Sequence, residues 1–435
     1  MIAVEAPVGM PSAPQRLEDT GLSPDVILEL VTKTLHVAGE LKGTELARRL
    51  GVPFQVIEPS LDLLKRDRFC EIVGGHAPGP PSYSYRLTDA GRVRALLFLE
   101  SGRYVGTLPV TLQQYTAYMN SFVHEYRVNA TQSSVRDAFA HLVLSPRMLD
   151  QLGPAIASWH SLFVHGPTGN GKSVIAQAIR NVLRDDIAVP HAILIDRHIV
   201  RVYDPVTHEP RPLELDAAAS LQRTNVMDGR WVRCRRPLVT AGGEMTLASL
   251  DLGDGDGGFY RAPLQLLANG GVLVIDDFGR QQVPPSLLLN RWIVPLENGV
   301  DYLTLQTGEK FEVPFHVFVV FTTNLRPREL PDEAFLRRIR YKVLAESPDV
   351  DAFVEIFANY CRARRVSCEP FLAESMIARE LGPRQVALRG CHPRDLIEHA
   401  LAIARYFDRP PHLTLDLMRE ACTSYFVEDR DPAAA

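Results

Sequence analysis

The spacing of apolar residues changes character several times along the chain. From residue 23 it is helical: Val26, Leu28, Leu30, Val31 and Leu35 mark a first helix. Ser23 can cap that helix, and Pro24 suits its first position, where a missing N–H costs nothing. A short second helix is predicted over Thr44–Leu50, stopped by Gly51, and a third over Pro53–Arg68 with Val56, Ile57, Leu61 and Leu64 inward. Two β-like runs follow, Phe69–Val73 and Ser82–Leu87, separated by a Gly- and Pro-rich stretch as in a long hairpin. Helical spacing returns over 107–150. There Tyr115, Tyr118, Met119, Phe122 and Tyr126 form a stripe that reads as core, with a partner-binding helix as the second reading. From about 151 to 345, short apolar runs alternate with helical stretches. Leu162–Val164, Ala192–Ile195, Val272–Ile275 and Val317–Phe321 are apolar on both faces, as buried parallel strands are. The pattern predicts a doubly wound α/β fold with a parallel sheet. Residues 346–428 hold no such strand and read as helical.

These changes divide the chain into a flexible arm (1–22), a small domain (23–106), a helical connector (107–150), an α/β domain (151–345), a helical lid (346–428) and a tail (429–435). No internal repeat is visible. Three helices and a hairpin in 23–106 make a winged helix-turn-helix pattern. The stretch Tyr85-Arg-Leu-Thr-Asp-Ala-Gly91 resembles the end of the wing in many bacterial winged-helix regulators. Composition adds exclusions. The 435 residues, 46% hydrophobic and 23% charged, are ordinary for a globular protein of two or three domains. A net charge of −5 argues against a surface built throughout for nucleic acid or anionic membrane. The six cysteines form no C-x-x-C pair and have no zinc spacing, so they read as reduced thiols. No stretch approaches the ~20 apolar residues that span a bilayer, and the first residues do not resemble a signal peptide. A cytoplasmic protein with no membrane insertion is expected.

The chemistry concentrates in one segment. Gly166-Pro167-Thr168-Gly169-Asn170-Gly171-Lys172-Ser173 fits G-x-x-x-x-G-K-[ST], with an apolar strand before it and a helix predicted from Val174 to Leu183 after it. The glycines let the backbone curl so that successive N–H groups face phosphate oxygens, and the helix start adds partial positive charge. Lys172 is expected on the β- and γ-phosphates of ATP, and the Ser173 hydroxyl on Mg²⁺. A second apolar strand ends in Asp276-Asp277. Asp276 is expected to hold Mg²⁺ through water, and Asp277 to orient and activate the attacking water.

Three further motifs follow in an order that resembles the AAA+ family of P-loop ATPases. Thr322-Thr-Asn324, after an apolar strand, looks like sensor 1; the resemblance implies that Asn324 positions the lytic water. Asp332-Glu-Ala-Phe-Leu-Arg337-Arg338 resembles the segment carrying arginine fingers, which implies a homo-oligomer, in such proteins a ring, in which Arg337 or Arg338 reaches a neighbour's nucleotide. Gly390-Cys-His-Pro-Arg394-Asp-Leu resembles sensor 2, which implies a γ-phosphate contact from Arg394. The resemblance covers roughly residues 145–428. A hairpin expected over Tyr302–Leu305 and Phe311–Val313, just before sensor 1, is similar to the MoxR-type and enhancer-binding-activator branch, although the activators' G-A-F-T-G-A loop is absent. One departure stands out: AAA+ strands usually end Asp-Glu, and Asp277 is a methylene shorter. A displacement of about 1 Å can cost ~10²-fold in rate.

Lys172 and Asp276 lie 104 positions apart, so an insertion is expected within 200–262. Asp251-Leu-Gly-Asp-Gly-Asp-Gly-Gly258 lacks the ligand order of a calcium loop and reads as a mobile loop, with Phe259, Tyr260 and Arg261 as pore-facing substrate contacts implied by the resemblance. Three function classes remain: a chaperone-like ATPase remodelling a protein complex with 23–106 as adaptor, a DNA-binding ATPase in transcription or DNA metabolism, and a nucleotide-switched scaffold that barely hydrolyses ATP. Residues 23–106 carry eleven Lys and Arg against ten Asp and Glu, and Glu58 and Asp62 lie in the half of the third helix that approaches bases in DNA readers. That balance favours an unknown protein partner over DNA.

Overall fold

The computed structural model describes residues 9–74, 79–125, 130–212, 227–255, 257–326 and 339–426. They gather into two compact units, neither continuous in sequence. The first comprises Met1–Arg127, Leu183–Leu273 and Gln281–Phe318; the second comprises Val128–Val182, Val274–Arg280 and Val319–Ala435. Elements are numbered along the whole chain.

The first unit opens with α1 (Pro24–Ala38), β1 (Glu40–Lys42), α2 (Gly43–Leu50), α3 (Phe54–Arg66), β2 (Cys70–Gly74), β3 (Ser84–Leu87) and α4 (Asp89–Ser101). β3 lies between β1 and β2 and is antiparallel to both. Strand β1 has one apolar residue, Leu41, and so leaves no periodicity to read; its pairing with β3 makes it a strand. The inward positions of the three helices, among them Val31, Leu35, Leu46, Val56, Ile57 and Leu61, form one core. That core does not close on itself. It includes Ala192, and Leu194, Ile199 and Phe259 pack against it, so 23–106 is not a separate compact unit.

The rest of the first unit is rich in short strands: β4 (Val110–Thr111), β6 (Asp186–Pro190), β7 (Ala192–Ile195), β8 (His198–Arg201), β9 (Trp231–Arg235), β10 (Leu238–Ala241), β11 (Gly253–Gly255) and β12 (Phe259–Arg261). Here α5 (Leu112–Glu125) buries Tyr115, Met119 and Phe122, so the aromatic stripe is core; Tyr126 lies outside the described residues. Next come α9 (Leu264–Leu267), which leads into β13 (Val272–Ile275), then α10 (Pro285–Asn298) and the antiparallel hairpin β14 (Val300–Thr304) and β15 (Lys310–Pro314).

Two expectations are corrected here. Ala192–Ile195 is not a strand of the phosphate-loop sheet. It belongs to a sheet of order β11-β12-β8-β7-β4 and pairs antiparallel with β8. A four-residue apolar run cannot report which sheet buries it; the signal lay in the two-residue Asp196-Arg197 turn, where Asp196 takes φ 52° and closes a hairpin. Nor do Phe259, Tyr260 and Arg261 lie in a loop; they form β12. β11 pairs with β12, Phe259 meets Tyr104 edge-on at 5.9 Å, and Tyr260 is buried, leaving Arg261 exposed.

A buried ion pair ties distant parts of this unit together. Arg230 and Asp228 are 3% and 2% exposed and meet at 2.8 Å. Arg230 also donates to the carbonyls of Thr20 and Pro109, at 3.1 and 3.3 Å, and the Asp228 N–H donates to Pro11 O at 2.9 Å.

The second unit holds α6 (Gln132–Phe139), α7 (Pro146–Ser158), β5 (Leu162–His165), α8 (Lys172–Ala178), β16 (Phe318–Thr323) and β17 (Tyr341–Leu344). Its strands run in the order β13-β16-β5-β17, and β5 is parallel to both neighbours. Four helices follow: α11 (Val350–Arg364), α12 (Leu372–Met376), α13 (His392–Tyr406) and α14 (Leu415–Tyr425). They enclose a core of Phe353, Phe357, Met376, Leu396, Ile397 and Met418. Among the described residues no helix is long and apolar enough to cross a membrane.

Arg230→Ala strands Asp228 as a buried charge and is expected to cost about 3–5 kcal/mol, read as a lowered midpoint in urea unfolding. A loss below about 1 kcal/mol, the value of an exposed pair, contradicts the role assigned to this pair.

Candidate active site

The phosphate-loop motif takes its shape from its neighbours. Leu162, Phe163 and Val164 are fully buried in β5, and the chain then turns over residues 166–171 into α8. Gly166 adopts φ +144°, and a Cβ there would lie 2.5 Å from Ala345 O. Only glycine passes at that point. Lys172, the first residue of α8, is 7% exposed. Its ammonium donates to Gly166 O at 3.0 Å, Pro167 O at 2.9 Å and Asn324 Oδ1 at 2.6 Å, which uses its three N–H donors. Burial pulls the Lys172 pKa down. Asp277 and Asp276 oppose that shift, whereas the charges of Arg280 and Arg389 add to it.

The sheet order explains why the other residues meet this lysine. β16 lies between β5 and β13, so the carboxyl ends of three adjacent strands converge, as at the ligand crevice of open α/β sheets. Ser173 Oγ lies 2.8 Å from each carboxylate oxygen of Asp276 and donates to that group. Thr322 Oγ1 donates to Asp276 Oδ1 and accepts from the Asp277 N–H at 3.2 Å. Asn324 Nδ2 donates to Asp277 Oδ1 at 3.2 Å, so Asn324 joins the lysine to the second acid. Asp277 itself sits at φ 51°. The turn after it is pinned by Phe278 N–H to Thr322 O at 2.7 Å and by Thr323 Oγ1 to Phe278 O at 2.7 Å. Thr322 was legible only as part of a Thr-Thr-Asn run; that its hydroxyl links both acids depends on strand order.

The crown of the loop is held by residues from farther along the chain. Asn170 Nδ2 donates to Ala345 O and Ser347 Oγ, both at 3.2 Å, and Asn170 Oδ1 accepts from Gly390 N at 3.4 Å. Cys391 N donates to Gly169 O at 2.8 Å, and Arg389 Nη1 to Thr168 O at 3.2 Å. Arg394 donates its Nε to Asp395 Oδ1 at 2.8 Å, and its side chain is 61% exposed. The Asp395 carboxylate holds its pKa above the usual guanidinium value. Arg337 and Arg338 lie outside the described residues. Sequence reasoning missed Arg280 and Arg389, whose charges both act on Lys172. Arg280 follows the Asp-Asp pair by three positions, a spacing that could have drawn notice; Arg389 carries no local signal.

Comparison with known proteins adds little to this geometry. A family model described as a domain of unknown function (DUF8689) matches residues 349–424. No curated protein matches the sequence. Among solved structures, NtrX from Brucella abortus is 16% identical with a TM-score of 0.40, over 69% of this chain and 60% of that one. The structure of NtrX in complex with ATP is 14% identical with a TM-score of 0.41 over the same shares. A RuvB variant from Thermotoga maritima is 15% identical with a TM-score of 0.37, over 69% of this chain and 71% of that one. The chain thus spans about three fifths of the NtrX chains it matches.

Thr322 has no exposed surface, so Thr322→Val takes the side-chain acceptor from the Asp277 N–H and removes one of the two hydroxyls that donate to Asp276. The expected loss is about 1–3 kcal/mol of unfolding free energy, with Thr322→Ser restoring most of it. Equal stability of the valine and serine variants in urea unfolding contradicts the hydrogen-bonding role.

Proposed function

We propose that this chain is a Mg²⁺-dependent, ATP-hydrolysing enzyme of the AAA+ kind. One observation carries the reading: Lys172, Ser173, Asp276, Asp277, Thr322 and Asn324 form a single hydrogen-bonded network at the ends of adjacent strands. Lys172 is the phosphate ligand; its three present acceptors are exchangeable, two being loop carbonyls and one a side-chain amide. Ser173 and Asp276 offer a hydroxyl and a carboxylate in contact, an oxygen-only donor set that suits Mg²⁺. The ion, when bound, neutralises charge on the phosphoryl oxygens. Asp277 accepts the proton of the attacking water, and Asn324, bonded to Asp277, orients that water. The water oxygen bonds to the γ-phosphorus as the bond to the bridging oxygen breaks, giving ADP and phosphate.

A protein partner for residues 23–106 is the reading we favour over duplex DNA. Five basic side chains on this part of the surface already face carboxylates: Arg49 with Glu45, Lys65 with Asp62, Arg66 with Asp67, Arg86 with Glu71 and Arg92 with Asp89. A phosphate backbone would have to displace those carboxylates. Val93, Leu96 and Leu97 meanwhile stand exposed at helical spacing on α4, an apolar stripe better suited to protein than to phosphate. On this reading the protein is an oligomeric remodeller of a protein complex.

Steady-state Mg·ATP hydrolysis by the full chain tests the reading. Lys172→Ala is expected to lower turnover ~10²-fold or more, and non-specific duplex DNA at low salt to leave the wild-type rate unchanged. A wild-type rate no higher than that of Lys172→Ala contradicts the ATPase, and a several-fold rise with DNA contradicts the protein adaptor. Replacing both Arg337 and Arg338 by Ala is expected to abolish turnover while nucleotide binding persists; unchanged turnover removes the trans fingers.

A further inference from the structure

Helix α5 presents two sides. Tyr115, Met119 and Phe122 are buried in the core, whereas Gln114, Ala117, Tyr118, Ser121 and Glu125 follow one another at helical spacing along a side that borders a cavity. Residues 9–15 run beside that side, and the two together enclose a groove of about 480 Å³. That volume suits a small organic molecule. The amino-terminal wall is held in place. Met10 is part of the core, Pro11 O accepts the Asp228 N–H at 2.9 Å, and Ser12 forms a β-bridge with Met227.

The floor is aromatic. The Tyr118 ring centre lies 4.9 Å from that of Trp231 and 5.8 Å from that of Phe122, and its hydroxyl accepts the Ala188 N–H at 2.8 Å, which fixes the ring. Ala117 and Ser121 are small and exposed, and so leave the middle of the groove open. Arg230 also lines it, but Asp228 at 2.8 Å cancels that charge. The net charge of the walls therefore comes from two acids, one at each end. Asp19 O accepts from Gln114 Nε2 at 3.0 Å, which places Asp19 at the start of α5, and Glu125 ends that helix. Positions 114 and 125 are eleven residues apart, about 16 Å along a helix. Asp19 Oδ2 accepts the N–H groups of Gln15 and Arg16 at 2.9 and 2.8 Å. Among the described residues the other Asp19 oxygen and the Glu125 carboxylate have no partner.

Aromatic faces between two separated carboxylates complement a long molecule with positive ends and methylenes between them. Ring faces attract ammonium groups, and methylene chains pack on apolar surface while their charged ends stay in water. We propose that this groove binds a linear polyamine, with Asp19 and Glu125 on its terminal ammonium groups and Tyr118 and Trp231 against its chain. The site lies within the first unit and does not draw on the ATP reading.

Calorimetric titration of the nucleotide-free full chain with spermine, at physiological ionic strength, tests this. Saturable binding of one spermine per chain is expected. Putrescine, too short to reach both carboxylates, is expected to bind about tenfold or more weakly, and Glu125→Gln to bind spermine about tenfold more weakly, as the loss of one charge-assisted bond implies. Ser121→Trp fills the groove from an exposed position and is expected to lose more. Glu355→Gln removes an exposed carboxylate of α11 and is expected to change nothing. If Ser121→Trp lowers the thermal midpoint, Glu125→Gln alone decides. Absence of saturable binding by wild type overturns the proposal, as does putrescine binding as tightly as spermine. Wild-type affinity in Glu125→Gln, or an equal loss in Glu355→Gln, also overturns it, because either marks diffuse attraction to a chain of net charge −5.

Discussion

The second unit depends on how one carboxylate is satisfied. Asp276 stands at the end of a fully buried strand, where an unpaired charge is costly. Two hydroxyls donate to it, Ser173 from the loop after β5 and Thr322 from β16. Both can reach it because β16 is placed between β5 and β13. Strand order, loop position and the pair of acids are thus one constraint. The same contacts leave a hydroxyl and a carboxylate side by side, with a lysine one residue away and an amide bridging to the second acid. Burial works against the charge on Lys172, while Asp277 and Asp276 favour it and three acceptors take its N–H groups.

Much of this was legible in sequence, for a physical reason. A phosphate loop needs glycine where the backbone turns sharply or passes close to another chain segment, and Gly166 and Gly169 meet both conditions. Such requirements act on neighbouring residues and leave a local pattern. Asp276 and Asp277 were legible because four apolar residues ran into two acids. The inward faces of α1 and α3 followed from helical spacing. What was not legible depends on long-range placement. Arg389 meets Thr168 across 221 positions and Thr322 meets Asp276 across 46; no periodicity encodes either. Ala192–Ile195 misled because burial on both faces looks the same in any sheet.

The first unit shows how an insertion becomes structure instead of a loose loop. The strands between residues 183 and 273 share a core with the amino-terminal helices, and Thr20, Pro109 and Pro11 are hydrogen-bonded to one buried ion pair, Arg230–Asp228. An acidic, Gly-rich run that reads as mobile is drawn into a β-ladder because Phe259 and Tyr260 have aromatic and apolar partners to fill. On the surface left over, α4 exposes Val93, Leu96 and Leu97, and on α3 Lys65 is paired with Asp62.

The central claim is that Ser173 and Asp276 form the metal end of a nucleotide site whose phosphate end is Lys172. Calorimetric titration of the full chain with a non-hydrolysable ATP analogue, with and without Mg²⁺, addresses it most directly. The account predicts saturable binding that Mg²⁺ strengthens about tenfold or more, equivalent to 1.4 kcal/mol or above, with the Mg²⁺ effect lost in Asp276→Asn. Binding indifferent to Mg²⁺, or an Asp276→Asn variant that still responds to it, would contradict the account.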